Sequence, residues 1–297
     1  MGYVSRQEHA LVNTRLYLPK EWTKDRKRCC AAGVPQHVKF QTRHDQALEM
    51  LDESGPRLPH SLIAGDDEMG GCGPFRESLR DRGERYLLAV PSNTLVRDGE
   101  VTPPEYSGRG RHPIVPWQRA DAWCKSPSET AWTTIDVRDG EKGPLVTEVI
   151  RCRVNARTPT GGTGPEEVLF ITREPLSDGS YKHDYYLSNA DAETPLKEFA
   201  RVAKAEHRIE ECFQRAKSEA GLGDYQVRNW IGWQHHQTLS LIAAWFLNDQ
   251  TRRGKNPDPR TDCSPSPPND RWPDRTPSPV PHPDPHRRDH PTLAPTQ

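Results

Sequence analysis

The sequence has no apolar run long enough to cross a bilayer. Its longest, LSLIAAWFL from Leu239 to Leu247, is about half the length a membrane-spanning helix needs. The opening MGYVSRQEHALVN also lacks the apolar segment of an export signal, so a soluble cytoplasmic protein with no membrane association is expected. An excess of one charge is missing too: 41 Lys+Arg face 42 Asp+Glu, and any affinity for a polyanion must come from a local patch. The seven cysteines are odd in number and scattered, with no CxxC pair, which argues for reduced thiols and against a zinc module. Apolar residues are scarce at 33%, and the mean hydropathy is −0.91, below what a fully packed chain of 297 residues would carry. What is abundant is proline. Thirteen of the 29 prolines follow Lys255, so residues 255–297 are expected to form a disordered low-complexity tail, and the remainder is expected to be globular.

Along that remainder, Val12 to Leu18 alternates apolar and polar residues before Pro19 and predicts a strand. The basic stretch KEWTKDRKRCCAAG predicts a helix ending at Gly33, and Arg43 to Ser54 a short helix broken by Gly55-Pro56. Ser61 to Ala64 reads as a buried strand, Pro74 to Gly83 as a helix and Arg85 to Val90 as a second strand, which makes a βαβ unit with parallel strands. From Pro91 to about Leu187 short alternating strands dominate: Trp132 to Val137, Leu145 to Val154, Val168 to Thr172 and Lys182 to Leu187. Helical periodicity returns at Thr194 and runs to Ala220 as the expected longest helix, stopped by Gly221. A last apolar helix spans roughly Trp233 to Asn248.

Three constellations could carry chemistry. Gly65-Asp66-Asp67-Glu68-Met69-Gly70 places three acids directly after a buried strand, where α/β proteins bind ligands. Three adjacent carboxylates suit a hard cation such as Mg2+, and they equally suit a solvated turn before a helix. On the long helix, with Ile209 at zero, Phe213 and Ala216 lie within about 40°, and Glu210 near 100° borders that core face while Glu211 points to solvent. The same spacing also fits an ordinary amphipathic helix with surface charges. His235-His236 are adjacent, point about 100° apart and suggest no third ligand, so they read as core-edge or nucleic-acid-facing residues rather than a metal site.

The segments LIAGDDEMGG, FRESLRDRGERYLLAV and AEHRIEECFQRAKSEAGLGDYQVRNWIGWQHHQTLSLIAAWFL resemble the catalytic domain of DDE transposases of bacterial insertion sequences. The likeness extends from Tyr3 to about Gly254, including GYVSRQEHALVNTRLYLPKEW and VPSNTLVRDGEV. It implies an α/β ribonuclease-H-like mixed sheet flanked by helices. Residues 1–90 would be a partial core, 91–190 a β-rich insertion and 191–254 the C-terminal helices of that core. It further implies metal-dependent cleavage and transfer of double-stranded DNA at transposon ends, with two Mg2+ ions stabilising the attacking and leaving oxygens.

By the resemblance, Asp66 corresponds to the second catalytic aspartate, four residues before Gly70, with Met69 where the family has tyrosine. Glu210 corresponds to the catalytic glutamate, Lys217 to a lysine that contacts DNA phosphate, and Asp67 is an auxiliary metal acid. Ala203 and Glu206 stand where the family signature has tyrosine and arginine, leaving His207 and Arg208 as the DNA contacts. The family's first aspartate belongs to a strand upstream of Tyr3, and Asp25, Asp45 and Asp52 do not replace it. The expectation is therefore an N-terminally truncated, inactive transposase, which could homodimerise or associate with an intact copy. The alternative is a non-catalytic DNA- or partner-binding protein using the basic stretches Lys20 to Arg28 and Arg201 to Lys217. A nucleotide or methyl-donor loop at LIAGDDEMGGCG is disfavoured, because its glycines and acids occur in the wrong order.

Overall fold

A computed structural model describes residues 1–5, 9–140 and 143–255, so the expected tail lies outside the described residues. Residues Met1–Lys255 form one compact unit. In chain order its strands and helices are β1 (Gly2–Val4), β2 (His9–Leu11), α1 (Lys20–Lys24), α2 (Arg26–Ala31), α3 (Arg43–Ser54), β3 (Ile63–Gly65), α4 (Asp67–Gly70), α5 (Gly73–Asp81), β4 (Tyr86–Ala89) and β5 (Leu95–Asp98). There follow β6 (Gln118–Arg119), α6 (Ala120–Trp123), β7 (Thr133–Gly140), β8 (Gly143–Arg157), β9 (Thr163–Pro175), β10 (Tyr181–Ser188), α7 (Leu196–Ala203), α8 (Ala205–Ser218) and α9 (Trp230–Lys255).

The fold is α/β, a mixed sheet flanked by helices, consistent with a ribonuclease-H-like architecture. The main sheet runs β3-β4-β10-β9-β8-β5-β6, with β7 also on β8, and among the described residues only the β3–β4 pair is parallel. Here β3, α5 and β4 form the βαβ unit the sequence predicts. The four strands expected between Trp132 and Leu187 are all present, with β8 and β9 extended to 15 and 13 residues. Alternation along β4 divides the core: Tyr86 and Leu88 pack with Leu51, Phe75 and Leu79 under α3 and α5, while Leu87 packs with Phe170, Tyr186 and Phe199 under α7. Further along the sheet Leu169, Ile171, Cys152 and Leu187 meet Trp123 of α6.

Three expectations are corrected. Val12 to Leu18 is not a strand: strands form upstream as the β1–β2 hairpin, which Val12 closes by donating its N–H to the Met1 carbonyl at 3.0 Å. The segment beyond lies over α3, where Arg15 pairs with Glu53 and the Leu16 carbonyl accepts from Gln46. The basic helix is two helices, because Asp25 leaves helical geometry and caps α2 through the Arg28 N–H at 3.0 Å. The long helix from Thr194 also breaks, at Lys204, whose Nζ is held 2.7 Å from Glu174 on β9 and 3.6 Å from Asp184 on β10. Pro195 is the N-cap of α7, and α9, at 26 residues, is the longest helix described.

The hairpin forms a separate two-stranded sheet. Helix α8 packs against β1, β2 and β3 and so bridges the hairpin to the near edge of the main sheet, and α9 packs on β2 and α8. Polar bonds fix this layer: Trp245 Nε1 donates to the Leu11 carbonyl at 2.5 Å, Asn248 to the His9 carbonyl at 2.8 Å, and Arg215 to Thr251 at 3.0 Å.

Candidate functional site

Strand β3 is short because Asp66, the first residue past it, turns the chain into α4. Asp66 is the N-cap: its Oδ1 accepts from the Met69 N–H at 3.1 Å, as an unsatisfied helix N-terminus favours. Because β3 is parallel to β4, this carboxylate sits at the C-terminal end of a parallel strand, in the location read from the sequence. Asp66, Asp67 and Glu68 are all exposed. The acidic turn is not left to repel itself, since Arg43 Nη1 lies 2.6 Å from Glu68 Oε2 and His44 Nε2 lies 3.0 Å from the Glu68 carbonyl. Arg43 and His44 were missed in the sequence, where nothing local marks a partner 25 residues away. One residue cannot be larger: a Cβ on buried Gly70 would land on the Ala89 carbonyl oxygen of β4.

Glu210 lies on α8, the helix that packs against β3, so two of the expected carboxylates come from neighbouring elements. The buried face of α8 is centred on Ala216 and passes through half-buried Ile209 and Cys212; Glu210 is exposed rather than bordering the core, and Phe213, expected inside, is 39% exposed. The rotation follows from the partners. Ile209 reaches Gly2 of β1, and burial pushes the Cys212 thiol up, whereas Phe213 is left exposed. Lys217, also exposed, is seven residues beyond Glu210 and therefore on nearly the same helix face, about 10 Å along the axis.

Arg208 Nη1 donates to the Ser5 carbonyl at 2.8 Å, which ties α8 to the end of β1. The His207 side chain lies outside the described residues. His236 approaches the Leu222 carbonyl at 3.4 Å and the Tyr225 ring at 5.5 Å, a helix-edge position, while His235 is exposed.

These carboxylates do not make a complete metal site. Among the described residues no three His, Cys, Asp or Glu side chains converge as metal ligands, and one Asp66 oxygen serves as a helix cap. The strongest basic surface is α1–α2, where Lys20, Lys24, Arg26, Lys27 and Arg28 are exposed with few acids between them, and Arg28 lies over the Trp22 ring at 4.2 Å.

Residues 1–144 match the family model described as DDE superfamily endonuclease. The match supports a DDE transposase-like domain and takes in Asp66 and Asp67, while Arg208, Glu210 and Lys217 lie beyond it. A DDE endonuclease acts on DNA and uses divalent metal. No curated protein matches the chain. No described helix is long and apolar enough to cross a membrane.

Proposed function

We propose that this chain, with its DDE transposase-like domain over residues 1–144, acts on double-stranded DNA at the ends of an insertion sequence but does not cut it alone. The observation that carries the reading is Asp66 at the end of a parallel strand, inside that domain and beside the helix bearing Glu210. In this reading residues 91–190 are an insertion into the core, and Asp66 and Glu210, with Asp67 as auxiliary, are carboxylates meant for Mg2+. Lys217, Arg208 and His207 would meet the DNA backbone. Among the described residues these three carboxylates do not converge as ligands of one ion, which supports inactivity of the chain alone. A second copy or an intact transposase is the expected partner.

The exposed basic α1–α2 surface favours, as the second reading, a non-catalytic role in DNA binding. One experiment addresses both readings. The purified chain is incubated with Mg2+ and duplex DNA carrying the element's terminal sequence, with binding and strand breaks followed in parallel. Salt-sensitive binding without cleavage is expected. Cleavage that disappears in Glu210→Gln or Asp66→Asn would sink the inactivity and establish those carboxylates as catalytic.

A further inference from the structure

The most apolar exposed surface of the described unit is the outer face of α9: Leu239 is 66% exposed, Ile242 52%, Trp245 46% and Phe246 61%. Leu239 to Leu247 is apolar on nearly every side, and helices of that kind are normally covered all round. The hairpin and α8 cover one side only. Trp245 turns its indole nitrogen in to the Leu11 carbonyl and leaves the rest of the ring outside. The exposed residues have an order of their own. About Ile242 they are symmetric in sequence: Leu239 and Trp245 lie three residues to either side, Thr238 and Phe246 four, His235 and Asp249 seven. All fall within about 60° of Ile242 around the helix.

We propose that α9 pairs with α9 of a second copy of this chain, antiparallel, with the two-fold axis at Ile242. An isologous contact requires a surface complementary to itself, and this register provides one. Leu239 meets Trp245 of the second copy, Thr238 meets Phe246, and the His235 imidazole comes to the Asp249 carboxylate. Asp249 is held along its own helix by Arg253 Nε at 2.9 Å and Arg252 at 3.9 Å, so the incoming imidazole joins an oriented carboxylate. With Ile231, 62% exposed and opposite the Arg253 stem in this register, the apolar side chains offer at most roughly 600 Å2 per copy, so their full burial would withdraw about 1,200 Å2, the lower end of stable interfaces. Between His235 and Asp249 there is no Lys or Arg, which disfavours DNA or an anionic lipid surface as the occupant.

The pairing deepens the association proposed above and is independent of cleavage, since its readout is mass. Sedimentation velocity of the full chain across a micromolar concentration series should show a monomer–dimer equilibrium. Ile242→Glu, an exposed change expected to leave the far-UV circular dichroism unaltered, should raise Kd about a hundredfold. His235→Asp should weaken pairing about tenfold, and adding Asp249→His should recover it. A chain that stays monomeric, a dimer indifferent to Ile242→Glu, or a double variant no tighter than His235→Asp alone overturns the proposal.

Discussion

Asp66 and Gly70 set the local geometry of the acidic turn. The carboxylate stops β3 and starts α4, and four residues later the absence of a side chain lets α4 touch the backbone of β4. Gly70→Ala must push β4 or α4 aside, because the obstruction is the Ala89 carbonyl rather than a flexible side chain. The expected loss is about 2–4 kcal/mol by urea denaturation, against a few tenths for Gly223→Ala, whose added Cβ would meet only the stem of Lys217. Equal stability of the two variants would refute the close approach. Asp66 was legible in the sequence because a short apolar strand followed by an acid and glycines specifies its own location; the burial expected of that strand was not found, since β3 lies at the sheet edge and Ala64 is exposed. The orientation of Glu210 was not, because it depends on which side of α8 the hairpin covers, and Ile209 and Cys212 decide that together with residues two hundred positions away.

At the scale of elements, α5 is locked onto the sheet by Glu167 of β9, which is only 3% exposed. Arg76 Nε lies 3.0 Å from its Oε1 and Arg80 Nη2 3.4 Å, and the Tyr86 hydroxyl donates to the same oxygen at 2.5 Å. Burial, and then the Glu167 charge, push the Tyr86 phenol well up, so it remains a donor across the working pH range. Arg76 also donates to the Gly70 carbonyl, so the network reaches the helix that Asp66 caps. Removing the acid strands a buried guanidinium: Glu167→Ala should cost about 3–5 kcal/mol in chemical denaturation, and a loss below about 1 kcal/mol would show the network to be dispensable. The βαβ unit was readable because its apolar spacing is local. Arg76 and Glu167 are 91 residues apart, and Lys204, at the break between α7 and α8, is paired with Glu174 and Asp184 on distant strands, so neither contact leaves a mark in nearby sequence.

Across the whole molecule the net charge of −1 offers no general attraction to DNA, so the proposed binding must be carried by a few surface bases. The α1–α2 surface makes that a measurable quantity. Lys24→Glu and Lys27→Glu should each lower the slope of log K against log salt by about one and weaken binding to any duplex alike, as lost phosphate contacts do. Slopes unchanged from the parent chain would place the DNA elsewhere. The near neutrality of the composition was visible from the start. The run of bases from Lys20 to Arg28 was visible too, whereas its division between two helices was not, because it rests on Asp25 capping α2.

The corner at Lys204 acts as the pivot of a crank. Helix α7 is bedded in the sheet and α8 swings out from the corner, with Glu210 six residues along, an arm of about 9 Å. A rotation of about 10° at the pivot would carry that carboxylate roughly 1.5 Å, three times the tolerance of about 0.5 Å within which a functional constellation works. Lys204 is tied at that corner to Glu174 and Asp184 on β9 and β10. The contacts at the pivot thus come from strands that contribute no candidate ligand to the site, while the far end of the arm rests on the hairpin.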